Sequence, residues 1–469
     1  DNVVRFKIDN YSKSETLVID PTLIFSSFTG SVSDNWGYTA TYDGAGNFYA
    51  GGIAFSTGYP VSVGAFQTVF SGGVGDGQTS GYDIALIKFS SNGANRLYAT
   101  YLGGKANEQP HSLIVDNAGN LVIAGRTNSS DFPVTQSVSG VGGSYDIFLS
   151  KLSNNGSLLL ASRKIGGDKD DGVNIRPKET AGPFSITRNY GDDARSEVIV
   201  DNNDNIYLAS CTQSSNFPRT ANAFQTVYGG KQDGVVIKTT TDISSILFAS
   251  FLGGKEDDAS FVLSLNPNNN SIYVGGATNS TDLPATGGNA GPILFSTYQG
   301  GASDGFVSII SNDGSAQIKT AYVGTVGNDM LYGLQFDRLG FPYICGTTTR
   351  AFAVINASFN QANGKQFITK LRADLSGVIY STNFGKGGGD PDLSITAFLV
   401  DRCENVYVAG WGGGINIAER YPNAGTSGLP VTSNPVPIRA TTDGSDFYFF
   451  VLEKNASSQL YGTFYGNID

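Results

Sequence analysis

The sequence predicts an all-β fold, a β-propeller of four-stranded antiparallel blades, and three observations carry that prediction. A unit of roughly 60–90 residues recurs six times along the chain. Each copy holds four short runs of β-branched and aromatic residues separated by turn residues. The composition, with 61 Gly, 12% aromatic and only 15% charged residues among 469, suits short strands, tight turns and strong burial. A ring of four-stranded sheets leaves only short, protected edges. An open β-solenoid is the runner-up, but its coils are shorter than these units. A row of separate sandwiches needs linkers, and none interrupts the chain.

Within a unit, the first strand (A) is expected over about 112–115 in the second copy. The second (B) follows over about 121–124, the third (C) over 147–151 and the fourth (D) over 158–165. The A–B links are Asx-rich, as in Asp43-Gly44-Ala45-Gly46-Asn47, Asp116-Asn117-Ala118-Gly119-Asn120, Asp201-Asn202-Asn203-Asp204-Asn205 and Asp401-Arg402-Cys403-Glu404-Asn405. Asp or Asn there can accept its own backbone N–H two residues on, and Gly or Asn tolerates the left-handed conformation of a tight hairpin. Strand D ends in Gly-Gly, as at Ala99-Thr100-Tyr101-Leu102-Gly103-Gly104 and Ala249-Ser250-Phe251-Leu252-Gly253-Gly254. Strand C starts with Asp83, Asp146, Asp233, Asp304 or Asp446, each expected to cap that start by accepting backbone N–H groups.

Complete strand sets begin near Tyr38, Ser112, Ser196, Phe261, Tyr332 and Ile395, and a further D-like strand, Leu23–Phe28, precedes the first. Residues 1–22 are expected to be the end of a preceding β domain or closing strands. The propeller is expected over 23–469, with blades near 31–103, 104–165, 166–253, 254–323, 324–384 and 385–466. Tyr461–Gly466 opens what reads as another repeat, so the expectation is a seven-blade ring whose last blade is incomplete; six blades is the alternative. Asp1 stands directly before strand-like Val3–Ile8, so the chain is expected to be a fragment or the processed part of a longer protein.

A net charge of −11 argues against nucleic acid, whose phosphates need clustered Lys and Arg. No run of about 18 apolar residues predicts a membrane span. One His and one Met leave little room for histidine-based chemistry. Cys211, Cys345 and Cys403 sit in three different units without metal-site spacing and read as small fillers on strands, with one disulfide left open.

The unit resembles the SBBP-type β-propeller repeat of large secreted bacterial proteins. The residues that carry the resemblance are Tyr101–Gly104, Val115-Asp116 with Gly119-Asn120, Thr127–Pro133 and Asp146-Ile147-Phe148, with Ala65–Thr68 and Ala223–Thr226. The start, through Leu17-Val18-Ile19-Asp20-Pro21, is similar to the junction before such repeats in gliding-motility-associated, type IX-secreted proteins of Bacteroidetes-type bacteria. Departures are Leu265-Asn266-Pro267 in the fourth unit, Gln366-Phe367 in the fifth and Trp411–Gly414 in the sixth. The resemblance implies export and display or release outside the cell; it implies no catalysis.

The candidate sites are few. Gly301-Ala302-Ser303-Asp304-Gly305 matches a hydrolase elbow, but it stands at the start of a C strand, without the strand-to-helix turn that elbow needs. Acidic stretches after the Gly-Gly strands, Asp168, Asp170 and Asp171 with Glu256, Asp257 and Asp258, are candidate Ca²⁺ ligands, because that ion takes about six to eight oxygens. Apart from that, no cofactor is expected. Alternating strand direction puts the B–C and D–A loops on one rim, where long loops at 53–82, 168–195, 277–304 and 411–446 gather. Trp36, Tyr190, Trp411 and Tyr421 are the candidate contact aromatics there.

The expected function is a non-catalytic interaction, adhesion or structural module of a secreted or cell-surface protein, not an enzyme. Its expected partner is a cell-surface protein or glycan, or the secretion or gliding machinery. The alternatives are a polysaccharide hydrolase or lyase, or a subunit of that apparatus.

Overall fold

A computed structural model describes residues 24–75, 81–140, 142–174, 195–289, 291–413, 424–433 and 437–466. The described residues form six complete antiparallel sheets in chain order. The first holds β1 (Asn35–Tyr42), β2 (Phe48–Ala54), β3 (Asp83–Phe89) and β4 (Arg96–Leu102). The second holds β5 (Glu108–Val115), β6 (Leu121–Thr127), β7 (Asp146–Leu152) and β8 (Leu159–Ile165), and the third β9 (Glu197–Val200), β10 (Ile206–Thr212), β11 (Asp233–Thr239) and β12 (Ile246–Leu252). The fourth comprises β13 (Asp258–Leu265), β14 (Ile272–Thr278), β16 (Asp304–Ile310) and β17 (Gln317–Val323), with the two-residue β15 (Leu294–Phe295) on the outside of β17. The fifth has β18 (Asp329–Phe336), β19 (Pro342–Thr348), β20 (Gln366–Leu371) and β21 (Val378–Phe384); the sixth has β22 (Ser394–Val400), β23 (Val406–Trp411), β24 (Phe447–Leu452) and β25 (Gln459–Tyr465).

The all-β propeller stands, with six blades among the described residues. Tyr461–Gly466, read as the opening of a seventh blade, lies in or directly after β25, the outer strand of the sixth sheet. Residues 24–28, expected to complete a D-like strand, join no sheet. No disulfide joins the three cysteines: Cys211 and Cys345 are buried and Cys403 is exposed.

Two-sided burial drives this arrangement. β7 is buried along its whole length, and its side chains alternate between two neighbours. Phe148 and Leu152 pack with Tyr49, Ile84 and Leu86 of the first sheet, while Ile147 and Leu149 pack with Val198, Leu208 and Val235 of the third. Fully burying one such side chain is worth about 1.5–3 kcal/mol, so each sheet depends on both neighbours. The innermost strands meet around the axis, β1 with β5, β5 with β9, β13 with β18 and β18 with β22. Bulges at Gly37/Thr39, Pro110/Ser112, Ser260/Val262, Leu331/Gly333 and Ile395/Ala397 recur at the same place in these inner strands and add twist.

The A–B turns hold as expected. Asp116 Oδ1 accepts the N–H groups of Ala118 (3.0 Å) and Asn120 (2.8 Å). Asp43, Asp201, Asp337 and Asp401 repeat this two-bond pattern. In the first, second, third and fifth sheets a buried or half-buried lysine near the end of the C strand then ties the turn to the next sheet. Lys88 Nζ reaches Asn154 Oδ1 at 2.6 Å, Lys151 pairs Asp116 (3.0 Å) and reaches Thr241, and Lys238 reaches Asn312 at 2.7 Å. Lys370 pairs Asp337 (2.8 Å) and Glu404 (2.7 Å) beneath the ring of Tyr343.

Removing one partner of a buried ion pair strands the other charge, at about 3–5 kcal/mol. Lys370→Ala is therefore expected to lower the urea midpoint by an amount equivalent to about 3 kcal/mol or more. Lys454→Ala, which removes the solvent-exposed arm of Glu404, is expected to leave the midpoint nearly unchanged.

Candidate functional site

The starts of the A and C strands and the ends of the B and D strands share one rim, and a polar node repeats there at each junction. In the third-to-fourth junction, Asp258 accepts the hydroxyls of Thr278 and Ser280 and the N–H of Gly254. Asp233, at the start of β11, accepts the N–H of Gly229 at 2.8 Å. Between them lies Gly253: a Cβ there would sit 2.6 Å from Asp233 Oδ1 and 2.8 Å from Asp258 Oδ2. Gly254 is confined in the same way by Asp282 and Ser280. The Gly-Gly signature and the Thr-x-Ser-x-Asp stretch are thus two halves of one node. Burial pushes Asp233 and Asp258 up to about 7, opposed by those donors.

The node absorbs most of the acidic candidates. Asp171 accepts Thr212, Ser214 and the N–H of Gly167, and Asp170 accepts the N–H groups of Ser144 and Tyr145. Glu256 pairs with Lys231 at 2.5 Å on the surface, Asp257 is half-buried beside Asp258, and Asp168 is exposed. Among the described residues no three carboxylate, histidine or cysteine side chains converge. The strand-capping aspartates do accept backbone N–H groups, Asp83 from Ser71 (2.7 Å) and Asp304 from Gln299 (2.5 Å). Ser303 of the elbow-like pentapeptide is buried at the start of β16, between two strands.

Two inner-strand groups, Arg195 and Glu197, carried no signal in the sequence, and the lone His111 lies on an A strand, as expected. Arg195, before β9, donates to the carbonyl of Tyr332 (2.6 Å) and of Ile395 (3.0 Å), with its guanidinium over the Tyr332 ring. It crosses the centre from the third sheet to the fifth and sixth. Glu197 accepts the N–H of Leu263 at 2.7 Å, and burial pushes it up to about 7 against that bond and Arg195. His111 Nδ1 meets Ser196 Oγ at 3.0 Å. No periodic signal marks these groups, because each occurs in a single copy.

The candidate aromatics separate. Tyr190 and Tyr421 lie outside the described residues. Trp36 is 48% exposed on β1 and meets Phe55 edge-on at 5.0 Å; Trp411 is half-buried at the end of β23, opposite Phe447. Both lie at the rim, on the first and sixth sheets. Those two sheets share no packing comparable to the other five junctions among the described residues. The face of the sixth sheet turned from the fifth presents Phe447 (44% exposed), Phe449 (38%) and Leu399 (47%). On the first sheet, Ala85 opposite Gly52 takes the register place of Phe148, Phe306 and Tyr448 elsewhere. The result is a shallow apolar hollow beside Trp36, Ile53 and Ile87. Among the described residues the leading segment ties the two sheets across this seam: Phe25 packs on Phe48 and Phe89, and Ser26 hydrogen-bonds Tyr465.

Fold and repeat together define a six-bladed β-propeller. Its residues 97–133, from the outer strand of the first blade through β6 of the second, match the family described as SBBP, beta-propeller repeat. No curated protein matches the chain. Solved structures of similar fold include a protein of unknown function from Dyadobacter fermentans (9% identity, 83% of this chain and 92% of that one, TM-score 0.38). A mutant NanB sialidase from Streptococcus pneumoniae is another (11%, 95% and 63%, TM-score 0.35), as is an ulvan lyase of a polysaccharide lyase family (10%, 93% and 86%, TM-score 0.39). Likeness at this level says nothing of chemistry.

Because the Gly253 position is closed by two carboxyl groups, Gly253→Ala is expected to destabilise by about 1–3 kcal/mol. Gly44→Ala, where an added methyl meets nothing within 4 Å, is expected to be neutral in the same thermal-unfolding measurement.

Proposed function

We propose that this propeller is a non-catalytic interaction module of a secreted or cell-surface protein, exported by a type IX-like route. Its contact surface is the seam between the first and sixth blades. The observation that carries the reading is the apolar face of the sixth blade, which no described sheet covers, set beside a hollow on the first. At each of the other five junctions, equivalent faces are buried by a neighbouring sheet, as Phe148 is by the first blade and Ile147 by the third.

The occupant that suits such a face is an apolar, strand-forming segment of a partner protein, with an aromatic side chain filling the space above Ala85. Large buried aromatics are the usual energetic anchors of an interface. A glycan suits it less well, since Phe447, Phe449 and Leu399 bring no hydrogen-bonding groups. What supports the non-catalytic reading is that Asp171 and Asp258 at the rim and Arg195 and Glu197 at the centre are engaged in bonds that hold sheets together. Export rests on the likeness of the repeat to those of secreted proteins.

The test is site-specific photo-crosslinking in the producing cells, with a crosslinking phenylalanine analogue at Ala85 or Phe449. The expected result is one protein adduct common to both positions, outside the cytoplasm, and none from Leu158 on the exposed edge of the second blade. Adducts arising equally at Leu158 would remove the seam. Turnover of a polysaccharide by the purified chain, lost when Glu197 is replaced by glutamine, would instead favour the hydrolase or lyase reading.

A further inference from the structure

We infer that two blade junctions, Asp83 with Glu108 and Asp304 with Asp329, each bind one proton shared between two buried carboxyl groups, so that rising pH loosens the ring there. Both pairs close on the first glycine of a blade end. A Cβ on Gly103 would lie 2.7 Å from Glu108 Oε2 and 2.8 Å from Asp83 Oδ1. A Cβ on Gly324 would lie 3.0 Å from both Asp304 Oδ1 and Asp329 Oδ2.

The donor inventory says where the proton sits. Glu108 accepts the Thr127 hydroxyl (2.6 Å) and the Gly104 N–H (3.1 Å), and Asp329 accepts the N–H (2.7 Å) and hydroxyl (2.9 Å) of Thr325. Glu108 is thus a well-solvated anion on both oxygens, while Asp329 takes these donors on Oδ2 alone and its buried Oδ1 meets none among the described residues, so the proton of that pair has an orphan oxygen on either side. Asp83 and Asp304 each use only Oδ2, toward Ser71 and Gln299; their Oδ1 atoms are buried and meet no donor among the described residues. An ionised carboxylate so placed would carry an uncompensated buried charge, whereas a carboxylic acid has an O–H to give its partner.

Three other copies support the assignment, because each supplies a donor of a different kind. Asp146, beside Asp171, is paired with Lys164 at 3.0 Å. In the fifth blade Lys365 takes the register place of the aspartate, and the neighbouring Gln366 gives its amide N–H to Asp392 at 3.1 Å. Asp446 is faced by Arg439 at 3.5 Å. The Asp233–Asp258 junction repeats the layout inside the acidic stretch read above for calcium. A hard cation is a poorer occupant than a proton, since the remaining oxygens face N–H and O–H donors where such an ion needs about six to eight oxygens.

The surroundings add no positive charge. Asp83 faces Glu108, the more distant Asp131 (itself paired with Lys105) and the Tyr101 phenol. Asp304 faces Asp329 and the phenols of Tyr298 and Tyr322. Burial, then the like charge of the partner, pushes Asp83 and Asp304 up to about 8 against their single N–H bonds. Burial also raises Glu108, and Asp329 to about 6. A carboxyl group raised in the folded state stabilises fully below its unfolded value of about 4, and that contribution is lost as pH rises through the folded value. The window here therefore runs from about pH 4 to about pH 8.

Thermal unfolding of the whole chain from about pH 5 to about pH 9 tests this. The wild-type midpoint is expected to fall with pH. The Asp83→Asn/Asp304→Asn variant keeps the donor without titrating, so its slope is expected to fall measurably, the remainder belonging to Asp233, Asp258 and Glu197, and its midpoint to exceed wild type at the alkaline end. An unchanged slope overturns the proposal. So does a calcium-dependent rise of the wild-type midpoint at alkaline pH that the variant lacks. Should the variant not fold, wild-type infrared spectra decide: a protonated-carboxyl C=O band at neutral pH that vanishes on alkaline titration supports the shared proton, and its absence overturns it.

Discussion

A four-stranded sheet with two apolar faces cannot remain in water, and everything else in this molecule follows from covering those faces. β7 sends Phe148 one way and Ile147 the other, so the second blade is stable only while the first and third flank it. The fifth and sixth blades are bound in the same way, with Phe384 stacked on Phe450 at 4.5 Å. The hydrophobic contribution is non-directional; it calls for a stack of sheets but does not say at what angle or height each meets the next.

Polar ties supply that direction. At one rim, buried lysines such as Lys151 and Lys370 reach from the C strand of one blade to the turns of its own sheet and the next. At the other, carboxyl groups at the C-strand and A-strand starts meet over a glycine. Burial makes these bonds matter, since a polar atom left without a partner there costs its full desolvation. Arg195 adds a third tie, through the centre. Among the described residues the apolar covering stops between the first and sixth blades, where Phe447, Phe449 and Leu399 stay partly exposed.

Much of this was legible in the sequence because it repeats. Six copies of a strand pattern averaged out local ambiguity, and the Asx turns at Asp43, Asp116, Asp201 and Asp401 behaved as their chemistry requires. The lysines were legible in principle, as Ile87-Lys88, Ser150-Lys151, Ile237-Lys238 and Thr369-Lys370 recur at one place. An isolated Lys on a strand, however, normally reads as a solvent-facing residue. The acidic candidates were drawn by local density of charge, which does not reveal the Thr and Ser hydroxyls brought to Asp171 and Asp258 from the next strand. Arg195 and Glu197 occur once and carried no signal at all.

The sequence by itself determined the unit, its strand order and its turns, since these depend on contacts within a few dozen residues. Only the tertiary structure decided that Tyr461–Gly466 closes the sixth blade rather than opening a seventh, because strand membership rests on which backbone groups pair. Tertiary structure likewise decided which carboxyl groups meet over which glycine. That depends on the distance between two neighbouring blades, a quantity no single repeat contains.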